Sequence, residues 1–169
     1  AFAYARDYLF EWSSAPEASL HHASELIQKA IEINPRRNVV LDVYGLISLF
    51  QGKHIEAVSA VERAISINPN HADSHAMLAF ILNYAGKPEE SAEIIKSAME
   101  LNPAHTYMYS YILGKSQFLR NRYEDAVLTL ADAVSRNPED NQIRLWLAAS
   151  YALMGNIEDA EWQVVEILA

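Results

Sequence analysis

Apolar positions along the chain recur at intervals of three and four. A small residue, a large one and a small one follow at steps of four and three in Ala57, Val61 and Ala64, and again in Ala23, Ile27, Ala30, in Ser91, Ile95, Ala98 and in Ala126, Leu130, Ala133. That spacing puts all three on one side of an α-helix, where the small side chains let a neighbouring helix approach and the large one fills the space between. Five residues after the last member of each triplet stands a proline, in Asn34-Pro35, Asn68-Pro69, Asn102-Pro103 and Asn137-Pro138, so that the prolines are 34, 34 and 35 residues apart. Proline cannot continue a helix interior and restricts the residue before it, so each pair ends a helix and turns the chain. Chance does not produce this register four times.

Each unit has a second helical segment upstream, separated by a turn that often carries Gly, as at Gly52, Gly86 and Gly155, with Asn121 in the equivalent place. Asn is the next most tolerant residue after Gly for a left-handed helix terminus. The pattern predicts ten helices in five antiparallel pairs. The first members cover about 2–13, 38–51, 72–84, 106–120 and 141–154, and the second about 17–33, 54–67, 88–101, 123–136 and 157–168. Pro16 and Pro88 fall near the first turn of a second helix, where a missing N–H costs little. Gly45 and Gly114 lie inside a first helix, where Gly is unfavourable by about 1 kcal/mol relative to Ala, so close backbone packing is expected there. Each pair has apolar surface it cannot bury alone, and stacking successive pairs makes one continuous core. The expected fold is all-α with no strand, a single array of units at about 1–35, 36–69, 70–103, 104–138 and 139–169.

The units resemble the tetratricopeptide repeat, a helix-turn-helix of about 34 residues. The match is densest in Tyr111-Ile112-Leu113-Gly114, Arg122-Tyr123-Glu124-Asp125-Ala126-Val127, Ala133 and Asn137-Pro138, and next in Leu147, Tyr151, Gly155 and Glu158-Asp159-Ala160. Four units match well; the first matches in its second helix. The family's large aromatic early in the first helix is replaced by Leu41, His75, Ser110 and Arg144, and the fourth unit has an extra residue near Ala104 to Thr106. The resemblance implies a right-handed α-solenoid that binds proteins or peptides and is not an enzyme. A narrower one is carried by the stretches 12–20, 82–90 and 144–151, which look like repeat regions of bacterial signalling proteins with a class III adenylate or guanylate cyclase domain or a winged-helix domain. It implies a regulatory module, and no catalytic part of those proteins is in this chain.

In stacked hairpins the first helices line the inner face, where arrays of this kind take an extended or helical peptide. The inward positions are Val39, Asp42, Leu46, Asp73, Ala76, Phe80, Asn83, Met108, Tyr111, Lys115, Phe118, Gln142 and Leu145. They form a mostly apolar and aromatic groove, suited to a peptide with apolar anchors, and Asn83 and Gln142 are placed to hydrogen-bond its backbone. The competing reading is that these side chains pack on the next helix. Repeats that clamp a C-terminal carboxylate use Lys, Asn and Arg, because a carboxylate needs charge-assisted donors. Here those places hold Asp42, Leu46, Met77, Met108 and Ile112, so that clamp is absent.

Other chemistry in the sequence has a structural explanation. His71 and His75 are four apart, but His71 follows Asn68-Pro69 and falls at a helix start, and a structural metal site needs four ligands. Glu89-Glu90, Glu124-Asp125 and Glu158-Asp159 recur at the first turn of a second helix, where acids meet exposed N–H groups. No Ser, His and acid constellation and no phosphate loop is present, so no catalytic residue, cofactor or metal is expected.

Composition narrows the partners. A net charge of -9, with no basic stripe, argues against nucleic acid. The longest apolar stretches, such as Ala76 to Leu82, are far shorter than the roughly 20 residues that span a bilayer, so membrane insertion is not expected. With no cysteine there is no disulfide framework; the chain is expected in the cytoplasm, although such a chain suits the periplasm equally. It opens on Ala1, which suggests a piece of something longer. The last helix carries Trp162, Val165 and Leu168 and stops before the next expected Asn-Pro, so this apolar surface is either continued or a candidate interface between copies, giving a homodimer. The aromatic first helix, with Phe2, Tyr4, Tyr8, Leu9, Phe10 and Trp12, is expected to act as a cap or a second contact. The competing role is thus an oligomerisation element that pairs attached domains.

Overall fold

The computed structural model describes residues 1–10 and 14–168, apart from the Phe10 side chain. Those residues form ten helices and no strand: α1 Phe2–Phe10, α2 Pro16–Ile33, α3 Asn38–Phe50, α4 His54–Ile67, α5 Ala72–Tyr84, α6 Pro88–Leu101, α7 Tyr107–Leu119, α8 Tyr123–Arg136, α9 Asn141–Leu153 and α10 Ile157–Leu168. Nearly every boundary lies within a residue of the one the pattern predicts. The expected extension of the first helix to residue 13, and Trp12 within it, lie outside the described residues.

Turn chemistry explains the boundaries. At the end of α2, α4, α6 and α8 the backbone N–H of Asn34, Asn68, Asn102 or Asn137 closes the last turn onto the carbonyl of Ala30, Ala64, Ala98 or Ala133, at 2.9, 3.1, 3.0 and 3.0 Å. The following proline then prevents another helical turn. After the first helices the chain reverses through left-handed residues, Gly52 and Gly86 at φ 74°, Gly155 at φ 81° and Asn121 at φ 58°. Asn121 therefore takes the backbone conformation of the glycines it replaces.

Packing divides the chain into two compact units, Ala1–Ala85 and Gly86–Ala169. In the first, α1, α3 and α5 pack side by side as one layer, and α2 and α4 cover their other side. In the second, α7 and α9 form the first-helix layer, with α6, α8 and α10 packed against them. The triplets supply both cores: Ala23, Ile27, Ala57, Val61 and Ala64 are buried in the first unit, and Ser91, Ile95, Ala98, Ala126, Leu130 and Ala133 in the second. Ala30 is half-buried. Among the described residues no helix is long and apolar enough to cross a membrane.

Candidate functional site

The first-helix faces carry the expected interaction residues, and the structure sorts them by depth. In the first unit Asp42, Leu46, Ala76, Phe80 and Asn83 are buried, while Val39 and Asp73, near the N-terminal ends of α3 and α5, are exposed. In the second, Tyr111 and Lys115 are buried, Met108, Phe118 and Gln142 are half-buried, and Leu145 is half exposed. Each face therefore has a packed floor with a few apolar side chains standing above it.

Polar pairs tie those floors together. Ser74 donates its hydroxyl to Asp42 Oδ2 at 2.7 Å, joining α5 to α3. His71 caps the N-terminus of α5: its Nδ1 accepts from the Ser74 N–H at 3.3 Å and lies 2.9 Å from the Ser74 hydroxyl. This gives His71 a structural role at the helix start. Burial pushes the Asp42 carboxyl above its usual range, opposed by the Ser74 hydrogen bond and the nearby His71. In the second unit Ser91 and Ser116 share a buried hydrogen bond at 2.8 Å across α6 and α7, and the Ser110 hydroxyl donates to Asp132 on α8 at 2.8 Å.

Aromatic side chains shape the α7–α9 face. Trp146 stands edge-on to Phe118 with ring centres 5.0 Å apart, and the Lys115 ammonium lies 4.7 Å from the centre of the Trp146 ring. An ammonium over an indole face is attracted by the ring quadrupole. Burial lowers the Lys115 pKa to about 7. Sequence reasoning singled out Lys115 and Phe118 but missed Trp146 between them. The spacing of 34 residues that places Trp146 at the same point of α9 as Ile112 of α7 was the available signal.

Candidate metal and catalytic clusters stay apart. Among the described residues no three His, Asp or Glu side chains are arranged to hold a metal ion. His75 Nε2 lies 2.8 Å from the Pro69 carbonyl, and the paired acids of α6, α8 and α10 occupy first turns, where helix N-termini favour them. Trp162, Val165 and Leu168 on α10 are 61%, 56% and 81% exposed. Of the α1 aromatics, Phe2 and Tyr4 are exposed, Tyr4 meeting the His22 ring and Tyr8 the Phe50 ring.

This arrangement of paired helices defines a class of helical-repeat scaffolds for protein interaction. Models of the tetratricopeptide repeat match residues 40–71, 60–93 and 111–169, and the chain belongs to that family. No curated protein sequence matches it. Its fold is similar to that of TTC0263, a thermophilic TPR protein of Thermus thermophilus, at 20% identity over 98% of this chain and 89% of that one, with a TM-score of 0.77. It is similar also to PilW, a widely conserved type IV pilus biogenesis factor, at 18% identity over 98% and 74% of the two chains and a TM-score of 0.80. A chain of the APC/C hetero-tetramer Cut9–Hcn1 matches at 16% identity over 90% of this chain and 30% of that one, with a TM-score of 0.78. At these identities the likeness is one of fold. Tetratricopeptide proteins bind proteins or peptides and are generally non-catalytic.

Proposed function

We propose that the first-helix faces capture an apolar peptide or protein segment, and that the chain is in this way a regulatory module of a larger bacterial signalling protein in the cytoplasm. The observation that carries the first part is the set of apolar side chains left above a packed floor, Val39 in one unit and Met108, Phe118 and Leu145 in the other. Such side chains on a rigid helical layer offer contact area with little ordering cost. A neighbour in fold that works inside a hetero-tetramer supports an assembly role. The signalling context rests on the resemblance of the stretches at 12–20, 82–90 and 144–151.

The test is selection of binders from a displayed random peptide library. Retained peptides are expected to carry apolar anchors, and Val39→Glu with Leu145→Glu should lose them while the melting curve stays in place. Both positions are exposed, so the substitutions report on capture; at the buried Phe80 or Tyr111 a charge would disturb the fold instead. Unchanged capture by the double variant would refute the reading. The competing role, pairing of copies through Trp162, Val165 and Leu168, has their exposure in its favour and the acidity of α10 against it.

A further inference from the structure

The α9–α10 hairpin leaves an open apolar groove of about 590 Å³, with Ala149 and Ala152 on its α9 side and Ile157, Val164 and Val165 on α10. What shape fits it can be read from the preceding hairpin. There the equivalent surface of α7 and α8 is covered by a helix, α9, whose Trp146 meets Phe118 edge-on and whose indole ring lies over Lys115. Ala149 and Ala152 stand 34 residues after Lys115 and Phe118, at the same places of the repeat. Two long side chains are thus replaced by two methyl groups, and the groove is deeper by that difference. Its complement is a helix that brings a bulky aromatic side chain to the two alanines.

Charge decides which helix. Glu161 lines the groove and Glu158 stands one turn before it, both exposed. No Lys or Arg occurs in α10, and the one base of α9, Arg144, is buried and paired with Glu166 at 3.2 Å. The α10 side of the groove is therefore negative. A second copy would bring the same acids and a net charge of -9 to it, and like charges facing each other disfavour an interface.

We propose that this groove docks an amphipathic helix of another protein, one that sets a bulky aromatic residue against Ala149 and Ala152 and lysines or arginines beside Glu158 and Glu161. The site is separate from the first-helix capture described above, and Val39→Glu leaves it intact.

The probe is a stapled synthetic helix with the α9 sequence Asn141–Leu153 and lysines added at both ends, compared with a twin that has glutamates there. The lysine helix should bind the chain at least tenfold more tightly than its twin, with the gap closing as salt rises. Ala152→Trp, which fills the notch, and Val164→Glu, at an exposed position, should each lower the affinity at least tenfold; Leu128→Glu on the exposed side of α8 should leave it unchanged. Glu158→Lys with Glu161→Lys should reverse the preference toward the glutamate helix. Equal binding of the two helices, binding of neither, or indifference to both groove variants overturns the proposal. So does a dimer in solution that Val164→Glu converts to a monomer, since a second copy is then the occupant. Failure of a longer polypeptide containing this chain to bind either helix overturns it as well, its own next segment being the cover.

Discussion

Gly45 and Gly114 show at single-residue resolution how the small-large-small triplets work. A Cβ at Gly45 would stand 2.5 Å from Val61 Cγ2 and 3.0 Å from the Ala57 carbonyl oxygen, and one at Gly114 would stand 2.6 Å from Leu130 Cγ. Val61 and Leu130 are the large members of their triplets, so each first helix gives up a side chain where its partner helix inserts one. Overpacking of this kind costs about 1–3 kcal/mol, enough to offset the gain in helix propensity of about 1 kcal/mol. Gly45→Ala and Gly114→Ala are each expected to lower the denaturation midpoint in urea, and a midpoint at or above that of the parent would contradict the close approach. Lys115 gives a second test at this scale. Its folded pKa of about 7 lies below the unfolded value near 10.5, so between those limits the unfolded chain binds more protons, and stability rises with pH through that window. Below pH 7 both states hold the charge and the burial penalty is fully present. Lys115→Met should remove that slope, which thermal melts at pH 6, 8 and 10 would show. The burial of Lys115 was not legible in the chain. Periodicity names the side of the helix that faces inward, but whether a neighbour covers it depends on side chains 30 or more residues away, such as Trp146.

At the scale of the helix, legibility was greater because the determinants are local. Asn-Pro pairs, glycines and an Asn at φ 58° each act on their own backbone, and these gave boundaries that the structure reproduces almost residue by residue. Contacts between helices were less readable, since the hydrogen bond from Ser74 to Asp42 joins residues 32 apart and leaves no periodic trace. Arg144 is the sharpest case. It occupies a place where the repeat usually has a large aromatic, and it fastens α10 to α9: Nε donates to the Pro138 carbonyl at 3.1 Å, Nη1 to Gln163 Oε1 at 3.0 Å, and Nη2 pairs with Glu166 at 3.2 Å. Hydrogen bonds involving a charged group are each worth about 1.5–3 kcal/mol. Arg144→Met keeps most of the packing volume and removes all three. Amide exchange should then quicken throughout α10 while α7 and α8 keep their protection. Uniform acceleration across the second unit would mean that Arg144 holds the unit and not the hairpin.

For the molecule as a whole, the consequence of the repeat is that packing stays local. Within each unit, helices touch only their neighbours or next neighbours in the chain, so stability is close to a sum of hairpin terms and nearest-neighbour interfaces. Such a chain tolerates division where its packing divides, at Ala85 and Gly86. The second unit retains two complete hairpins, α7–α8 and α9–α10, with α6 laid against the first of them. Residues 86–169 expressed alone should therefore remain helical and unfold cooperatively. Locality makes a stricter demand as well. Gly114→Ala should cost the fragment the same free energy as it costs the α7–α8 region of the full chain, read by amide exchange, whereas Gly45→Ala should leave exchange in α7 and α8 of the full chain untouched. A fragment without helical structure, or a Gly45→Ala chain whose α7 and α8 open faster, would show that the units do not stand on their own cores.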